Sequence, residues 1–293
     1  MTTIESVGVL GCGLMGSGIA QACAVAGYRT IVRDTADSQL AKGKAGIEKS
    51  LAKFVEKGKL PAADREAALG RLSFTTDVAA LAGCGLIIEA VTEDLPLKNE
   101  LFQDLDARCP AWTIFASNTS SLSIISMAAL TARADRFVGL HFFNPVPMMP
   151  LVEVVRSVQT SDATFDRAKS FVQSLGKEAV AAKDISGFIV NLLLVPYILD
   201  AIRAREHGVA STADLDTAMR LGAGHPMGPL TLADFVGLDT LARIADIMFE
   251  EYHETRYAAP PLLRRMVTAG MFGRKSGRGF YDYSKDPAPP VDL

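Results

Sequence analysis

The stretch Val7-Gly8-Val9-Leu10-Gly11-Cys12-Gly13-Leu14-Met15-Gly16 decides the fold. An apolar, β-branched run ends in a G-x-G-x-x-G pattern, and a helical periodicity over Met15–Ala26 begins inside it. Gly11 permits the tight turn out of the strand, and Gly13 lets backbone approach a pyrophosphate. Gly16 lets helix and strand pack closely, while the free N–H groups at the helix start face the anion. The next strand ends in Asp34, 23 residues beyond Gly11. A carboxylate there can accept both hydroxyls of an adenosine ribose and repels a 2′-phosphate, which favours NAD over NADP. Arg33 beside it is a contrary sign. The alternative is a glycine-rich turn that merely closes a strand, and the strand–turn–helix–Asp34 context weighs against it. Cys12 fills a small-residue slot and reads as packing, not as a nucleophile.

Outward from this motif, short β-branched runs alternate with longer helical patterns, the signature of parallel βαβ units. Strands are expected at Ser6–Leu10, Thr30–Arg33, Leu86–Ala90, Thr113–Ala116, Phe137–Leu140, Val152–Val155 and Ala179–Ala182. Helical patterns lie between them near Ser38–Lys57, Asp64–Leu69, Leu97–Ala107 and Asp162–Leu175, with Gly27 just past the end of the first helix. After Lys183-Asp184-Ile185-Ser186-Gly187 the character changes. Phe188, Asn191, Leu192, Val195, Leu199 and Ile202 recur at three-to-four spacing and mark one long helix. Ser211 or Thr212 caps the next, a Gly- and Pro-rich turn (Gly222–Pro226) follows, and three more helical patterns lead to a Pro-rich tail expected to fray. The reading is an α/β chain. An N-terminal Rossmann-like, doubly wound, mainly parallel sheet over residues 1–183 binds NAD, and a C-terminal all-helical domain covers residues 187–293.

Composition narrows the function classes. The 293 residues carry 30 Lys plus Arg against 33 Asp plus Glu, a net charge of -3 with no basic block. That balance offers nothing to nucleic acid or to an anionic membrane surface. The greasiest stretch, Gly187 to Ile202, is interrupted by Asn191, Pro196 and Asp200, too broken to span a bilayer. The N-terminus lacks a charged, cleavable leader, and the four cysteines form no paired framework. A reduced, cytoplasmic protein is expected. His207, His225 and His253 show no ligand spacing, so no metal is expected.

Two residues resist a purely structural reading. His141 follows the apolar run Phe137–Leu140, at the strand end where ligands bind in open α/β sheets. Glu153 sits within Leu151-Val152-Glu153-Val154-Val155, and a carboxylate among aliphatics is costly unless paired. The proline-rich turn between them is long enough for the chain to double back. A glutamate beside an imidazole would orient its tautomer and stabilise the imidazolium, which suits a general base. The residues alone leave a buried structural histidine with a surface glutamate equally open.

Taken with Gly11–Ala20, Ser117-Asn118-Thr119-Ser120-Ser121, His141-Phe142-Phe143-Asn144-Pro145-Val146-Pro147, Leu151-Val152-Glu153 and Gly187-Phe188-Ile189-Val190-Asn191, the chain resembles the short-chain L-3-hydroxyacyl-CoA dehydrogenases. That family includes the 3-hydroxybutyryl-CoA dehydrogenases, and the match runs from Ser6 to about Tyr283. The resemblance implies reversible, NAD-linked oxidation of an (S)-3-hydroxyacyl-CoA to the 3-oxoacyl-CoA, with an acyl-CoA as substrate. It implies that His141 is the base, Glu153 its partner, and that Ser120 and Asn191 bind the reacting oxygen. Asn191 would otherwise read as a buried amide satisfied by backbone. Cofactor contacts are implied for Gly11, Gly13, Leu14, Met15, Gly16, Asp34, Glu93, Lys98, Asn118, Ser120 and Lys275. Without the resemblance, Glu93 is a helix-start carboxylate and Lys98 a solvated lysine. Ser50 and Lys57 would meet the coenzyme A moiety together with Ser120, although Lys49, Lys53, Lys57 and Lys59 equally suit a solvated face. A homodimer through the helical domain is also implied.

Two positions depart from the family pattern: Leu192 stands where arginine is usual, and Pro150 where lysine is frequent. Neither removes a proposed catalytic group, but Leu192 puts interdomain or dimer contacts there in doubt. The competing readings are a related dehydrogenase of a free hydroxy acid or sugar acid, and a non-catalytic NAD-binding structural protein. A purely structural role needs none of Ser120, His141, Glu153 and Asn191.

Overall fold

The computed structural model describes residues 4–292, which divide into two compact units meeting between Ile185 and Ser186. The first unit holds eight strands: β1 (Ser6–Leu10), β2 (Arg29–Arg33), β3 (Leu72–Thr75), β4 (Leu86–Glu89), β5 (Ile114–Ser117), β6 (Phe137–Phe142), β7 (Leu151–Arg156) and β8 (Glu178–Lys183). They form one sheet in the order β3-β2-β1-β4-β5-β6-β7-β8, parallel throughout except where β7 runs against β6. β1 is buried at all five positions, as a central strand covered on both faces must be, hence its unbroken small and apolar side chains. The chain order reverses on either side of β1, which pairs with β2 on one edge and β4 on the other. That reversal opens a crevice at the strand ends.

Six helices belong to this unit: α1 (Leu14–Val25), α2 (Asp37–Glu56), α3 (Ala62–Gly70), α4 (Leu95–Arg108), α5 (Ile124–Ala128) and α6 (Asp162–Ser174). Asp94 caps α4 by accepting the Leu97 N–H at 2.9 Å, and Ser161 caps α6. Val9, Ile88, Ala116, Leu140 and Val154 line the sheet's share of a continuous core.

The seven expected strands are present, and an eighth, β3, is not foreshadowed. Leu72-Ser73-Phe74-Thr75 is only four residues long and pairs on one side only, to β2, so its side chains stay mostly half-buried and its alternation is too brief to read.

The second unit packs α7 (Val190–Glu206), α8 (Thr212–Gly222), α9 (Pro229–Val236), α10 (Leu238–Tyr252) and α11 (Pro261–Thr268) around a core that includes Leu199, Ile202, Leu241, Met248 and Phe280. The long helix starts later than its periodicity suggests. Gly187 and Phe188 both take left-handed backbone, at φ 83° and 49°, so Phe188 is a buried residue ahead of the helix and not its first turn. Leu192, half-buried, packs against this helical core.

The tail is a second correction, because as far as Val291 it is tied to the second unit. Phe280 is fully buried, the buried Asp234 carboxylate accepts the Phe280 and Tyr281 N–H groups at 2.9 and 3.0 Å, and Val291 N–H returns to the Phe280 carbonyl at 2.9 Å. The prolines terminate regular structure without detaching the segment.

Candidate active site

The glycine turn has the shape its residues demand. Gly11 sits at φ 93°, and a Cβ there would lie 2.6 Å from the Ala90 carbonyl oxygen. A Cβ on Gly16 would fall 1.9 Å from the Gly11 carbonyl oxygen, so helix and strand touch through that hydrogen. Gly13 meets nothing within 4 Å and faces open space. Its neighbour Leu14 is exposed and Met15 half-buried. Asp34, at the end of β2, accepts the Cys12 N–H and its own neighbour's N–H, from Thr35, each at 2.7 Å. Gly11, Gly13, Asp34, Thr35, Gln39, Val91 and Leu101 are among the residues lining a cleft of about 370 Å³. The open Gly13 backbone and the carboxylate at the cleft's β2 side fit a dinucleotide laid across the strand ends. Burial, with the Asp34 charge, pushes the Cys12 thiol up to about 11, so it stays protonated near neutrality. A Cβ on Gly43 would lie 2.2 Å from its sulfur, which is the mark of a packing residue.

On the other side of β1 lies a buried polar cluster. Lys98, 1% exposed, donates to both oxygens of Glu89 at 2.8 and 3.0 Å and to Glu93 at 2.9 Å. Glu89 also accepts the Ser117 hydroxyl at 2.6 Å and the Val91 N–H at 2.7 Å. Glu93 accepts from the Thr119 hydroxyl, and from the Ser120 N–H and Ser121 hydroxyl at 3.2 Å each. Burial works to raise the Glu93 carboxyl, but the Lys98 ammonium and these donors outweigh it and hold it below the usual carboxylate range. Burial likewise opposes the Lys98 charge, and Glu89 and Glu93 together hold its ammonium above the usual lysine range. Lys98 is therefore not the solvated lysine that its sequence context suggests. Glu89 is the residue that sequence reasoning missed. Its signal was present, since a carboxylate closes the apolar run Leu86-Ile87-Ile88-Glu89 as Glu153 does its own.

Asn118 follows β5, and its Oδ1 accepts the Phe142 N–H at 2.9 Å, tying the loop after β5 to the residue after His141. His141 and Glu153 are direct cross-strand partners in the antiparallel β6–β7 pair. The Nδ1 of His141 lies 2.5 Å from Oε2 of Glu153, with His141 6% and Glu153 0% exposed. The Phe143 ring lies 4.5 Å from the imidazole, centroid to centroid. Lys177, also unforeseen, donates to the Val146 and Met149 carbonyls at 2.7 Å each and so clasps the connection between the two strands.

The remaining expected residues lie on other elements. Ser50 is half-buried on α2 and Lys57 exposed just past its end, among the exposed Lys49, Lys53 and Lys59. Asn191 is half-buried in the first turn of α7. Lys275, in the second unit, is half exposed and paired to Asp239 at 2.5 Å.

By fold and cleft, the chain is a dinucleotide-binding α/β protein joined to a helical unit. Residues 6–185 match the family model of the 3-hydroxyacyl-CoA dehydrogenase NAD-binding domain, and residues 187–283 match that of the C-terminal domain. A 3-hydroxybutyryl-CoA dehydrogenase of Mycobacterium tuberculosis is 51% identical over 96% of this chain and 99% of its own length. The mitochondrial hydroxyacyl-coenzyme A dehydrogenase of Homo sapiens is 49% identical over 96% of this chain and 91% of its own. The crystal structure of (S)-3-hydroxybutyryl-CoA dehydrogenase from Ralstonia eutropha superposes with a TM-score of 0.93, at 44% identity over 97% of this chain and 100% of that one. The chain belongs to the 3-hydroxyacyl-CoA dehydrogenase family, and its cofactor is NAD.

Proposed function

We propose that the protein oxidises (S)-3-hydroxyacyl-CoA, with a short acyl chain such as 3-hydroxybutyryl, to 3-oxoacyl-CoA, reversibly. NAD, when bound, supplies the hydride acceptor, leaving the protein to align the substrate and to take up one proton. The observation that carries the reading is the 2.5 Å contact between His141 Nδ1 and Glu153 Oε2. A carboxylate accepting from Nδ1 keeps that proton in place and makes Nε2 the basic nitrogen of the ring. His141 then takes the 3-hydroxyl proton as the C3–H bond breaks, and Glu153 stabilises the imidazolium that results. In the reverse direction the imidazolium returns the proton to the 3-oxo oxygen.

Ser120 and Asn191 bind the reacting oxygen in this scheme, and Ser50 and Lys57 meet the coenzyme A phosphates through a hydroxyl and a cation. Lys275, Leu14, Met15 and Asn118 complete the cofactor contacts. The first unit serves the cofactor, and the helical unit adds Lys275, substrate contacts and the surface of a homodimer. The four buried free cysteines suit a reducing, cytoplasmic setting. Among the described residues, no helix is long and apolar enough to cross a membrane.

The test follows NADH oxidation at 340 nm, first with acetoacetyl-CoA and then with free acetoacetate. Turnover of the thioester and not of the free acid is expected. Equal rates would move the protein to a free-acid dehydrogenase, and no turnover of either would overturn the reading.

A further inference from the structure

The buried cluster at the ends of β4 and β5 holds two acids and one base. Every partner of Glu89 is a donor: the Lys98 ammonium, the Ser117 hydroxyl and the Val91 N–H. Three donors on two oxygens are what a carboxylate accepts without adding a donor of its own. Glu93 is held ionised by Lys98 and its hydrogen bonds, and Lys98 is held protonated by both acids. One ammonium against two carboxylates leaves one uncompensated negative charge, in a place where Glu89 and Lys98 are almost wholly cut off from water.

The topology says which part of the cofactor this charge faces. Asp34 follows β2, the glycine turn follows β1, and Glu89 and Ser117 end β4 and β5 on the far side of β1. A dinucleotide with its adenosine ribose at Asp34 and its pyrophosphate at Gly13 extends its other half over β4 and β5. Adjacent strands are about 4.8 Å apart, so that half lies within roughly 10 Å of the cluster. The oxidised nicotinamide ring carries a positive charge and the reduced ring carries none.

We propose that the Glu89–Lys98–Glu93 cluster sets the preference between the two redox forms of the cofactor, with Glu89 as its determinant. Its net negative charge stabilises the oxidised ring relative to the reduced one. A unit charge about 10 Å away at an effective dielectric of about 20 changes the relative affinity on the order of tenfold.

The experiment measures the dissociation constant of NADH by its fluorescence, and that of NAD by competition against NADH. Glu89→Gln neutralises the cluster and is expected to lower the ratio Kd(NADH)/Kd(NAD) by roughly three- to tenfold. Glu89→Asp keeps the charge while disturbing the packing, so both affinities fall and the ratio stays. Glu93→Gln removes the same charge from the other side of Lys98 and shifts the ratio in the same direction, which keeps the test open should Glu89→Gln fail to fold. A ratio within twofold of the wild type in both glutamine variants overturns the proposal. So does a Glu89→Asp shift as large as that of Glu89→Gln. These readouts use no acyl substrate, so the acyl-CoA reading can fail while this inference stands, and the reverse.

Discussion

His141 and Glu153 face each other across two antiparallel strands in an otherwise parallel sheet, in register and twelve residues apart in the chain. Antiparallel pairing places opposed residues' side chains on the same face of the sheet, close enough to interact. A parallel neighbour would need a long crossover and could not bring together residues so close in sequence. The reversal of β7 is therefore what makes the pair.

His141→Gln is expected to cut turnover by roughly 10²–10⁴-fold, the usual contribution of a positioned base. Glu153→Gln leaves the ring in place but lets its tautomer vary, and is expected to cost at least tenfold. Both variants should bind NADH within about twofold of the wild type, because neither residue lines the cleft at the glycine turn. Steady-state rates with acetoacetyl-CoA and NADH fluorescence titrations check this. Near-normal turnover in either variant would refute the assigned pair.

What could be read from the sequence was local or followed from strand order. The glycine turn and Asp34 are set by covalent spacing and backbone sterics, so the cofactor site was legible from Gly11, Gly16 and Asp34. His141 and Glu153 could each be marked as unusual, but their 2.5 Å contact depends on register between two strands, which no local pattern specifies. The burial of Lys98 was illegible for the same reason. Its burial follows from two acids, one at the end of β4 and one in the loop beyond, and a lone lysine on a helix carries no sign of them. Phe280 and Asp234 hold the tail through contacts between residues some 46 positions apart.

Gly13→Ala and Gly16→Ala should behave oppositely. A methyl at Gly13 meets open space, so the variant should fold with near wild-type stability and lose NADH affinity by tenfold or more. At Gly16 the methyl would press on the Gly11 carbonyl oxygen, and the backbone must shift. A loss of about 1–3 kcal/mol or more is expected there. Thermal melts with and without NADH separate the two. Equal stabilities would remove the close helix–strand contact from the explanation.

Asp234 should leave a mark on the pH dependence of stability. Burial pushes its carboxyl up to about 6, against hydrogen bonds from Phe280, Tyr281 and Tyr283 and with Asp216 adding to the rise. A raised acid binds its proton more tightly folded than unfolded. Its contribution is thus fully present below the unfolded value of 3.8 and is lost as pH climbs through about 6. That loss amounts to about 3 kcal/mol. Asp234→Asn cannot titrate, so the stability advantage of the wild type over this variant should shrink between pH 4 and 7. Urea denaturation at pH 4.5, 5.5 and 7 measures it, and a constant offset would contradict the assigned shift.

Lys177 offers a separate way to disturb the His141–Glu153 pair without touching either residue. Its ammonium grips the Val146 and Met149 carbonyls in the connection that joins β6 to β7, although burial draws it below the usual lysine range. Lys177→Met would leave both carbonyls without their charged donor, at a cost of about 1–3 kcal/mol. The connection would loosen where it sets the approach of the two strand ends. Turnover should fall roughly three- to tenfold, while NADH affinity, governed by β1, β2 and β4, should not change. Lys177→Arg keeps a cation and donors within reach and should recover part of the rate. Lower stability with unchanged turnover in Lys177→Met would show that the clasp holds the fold and has no part in aligning the pair.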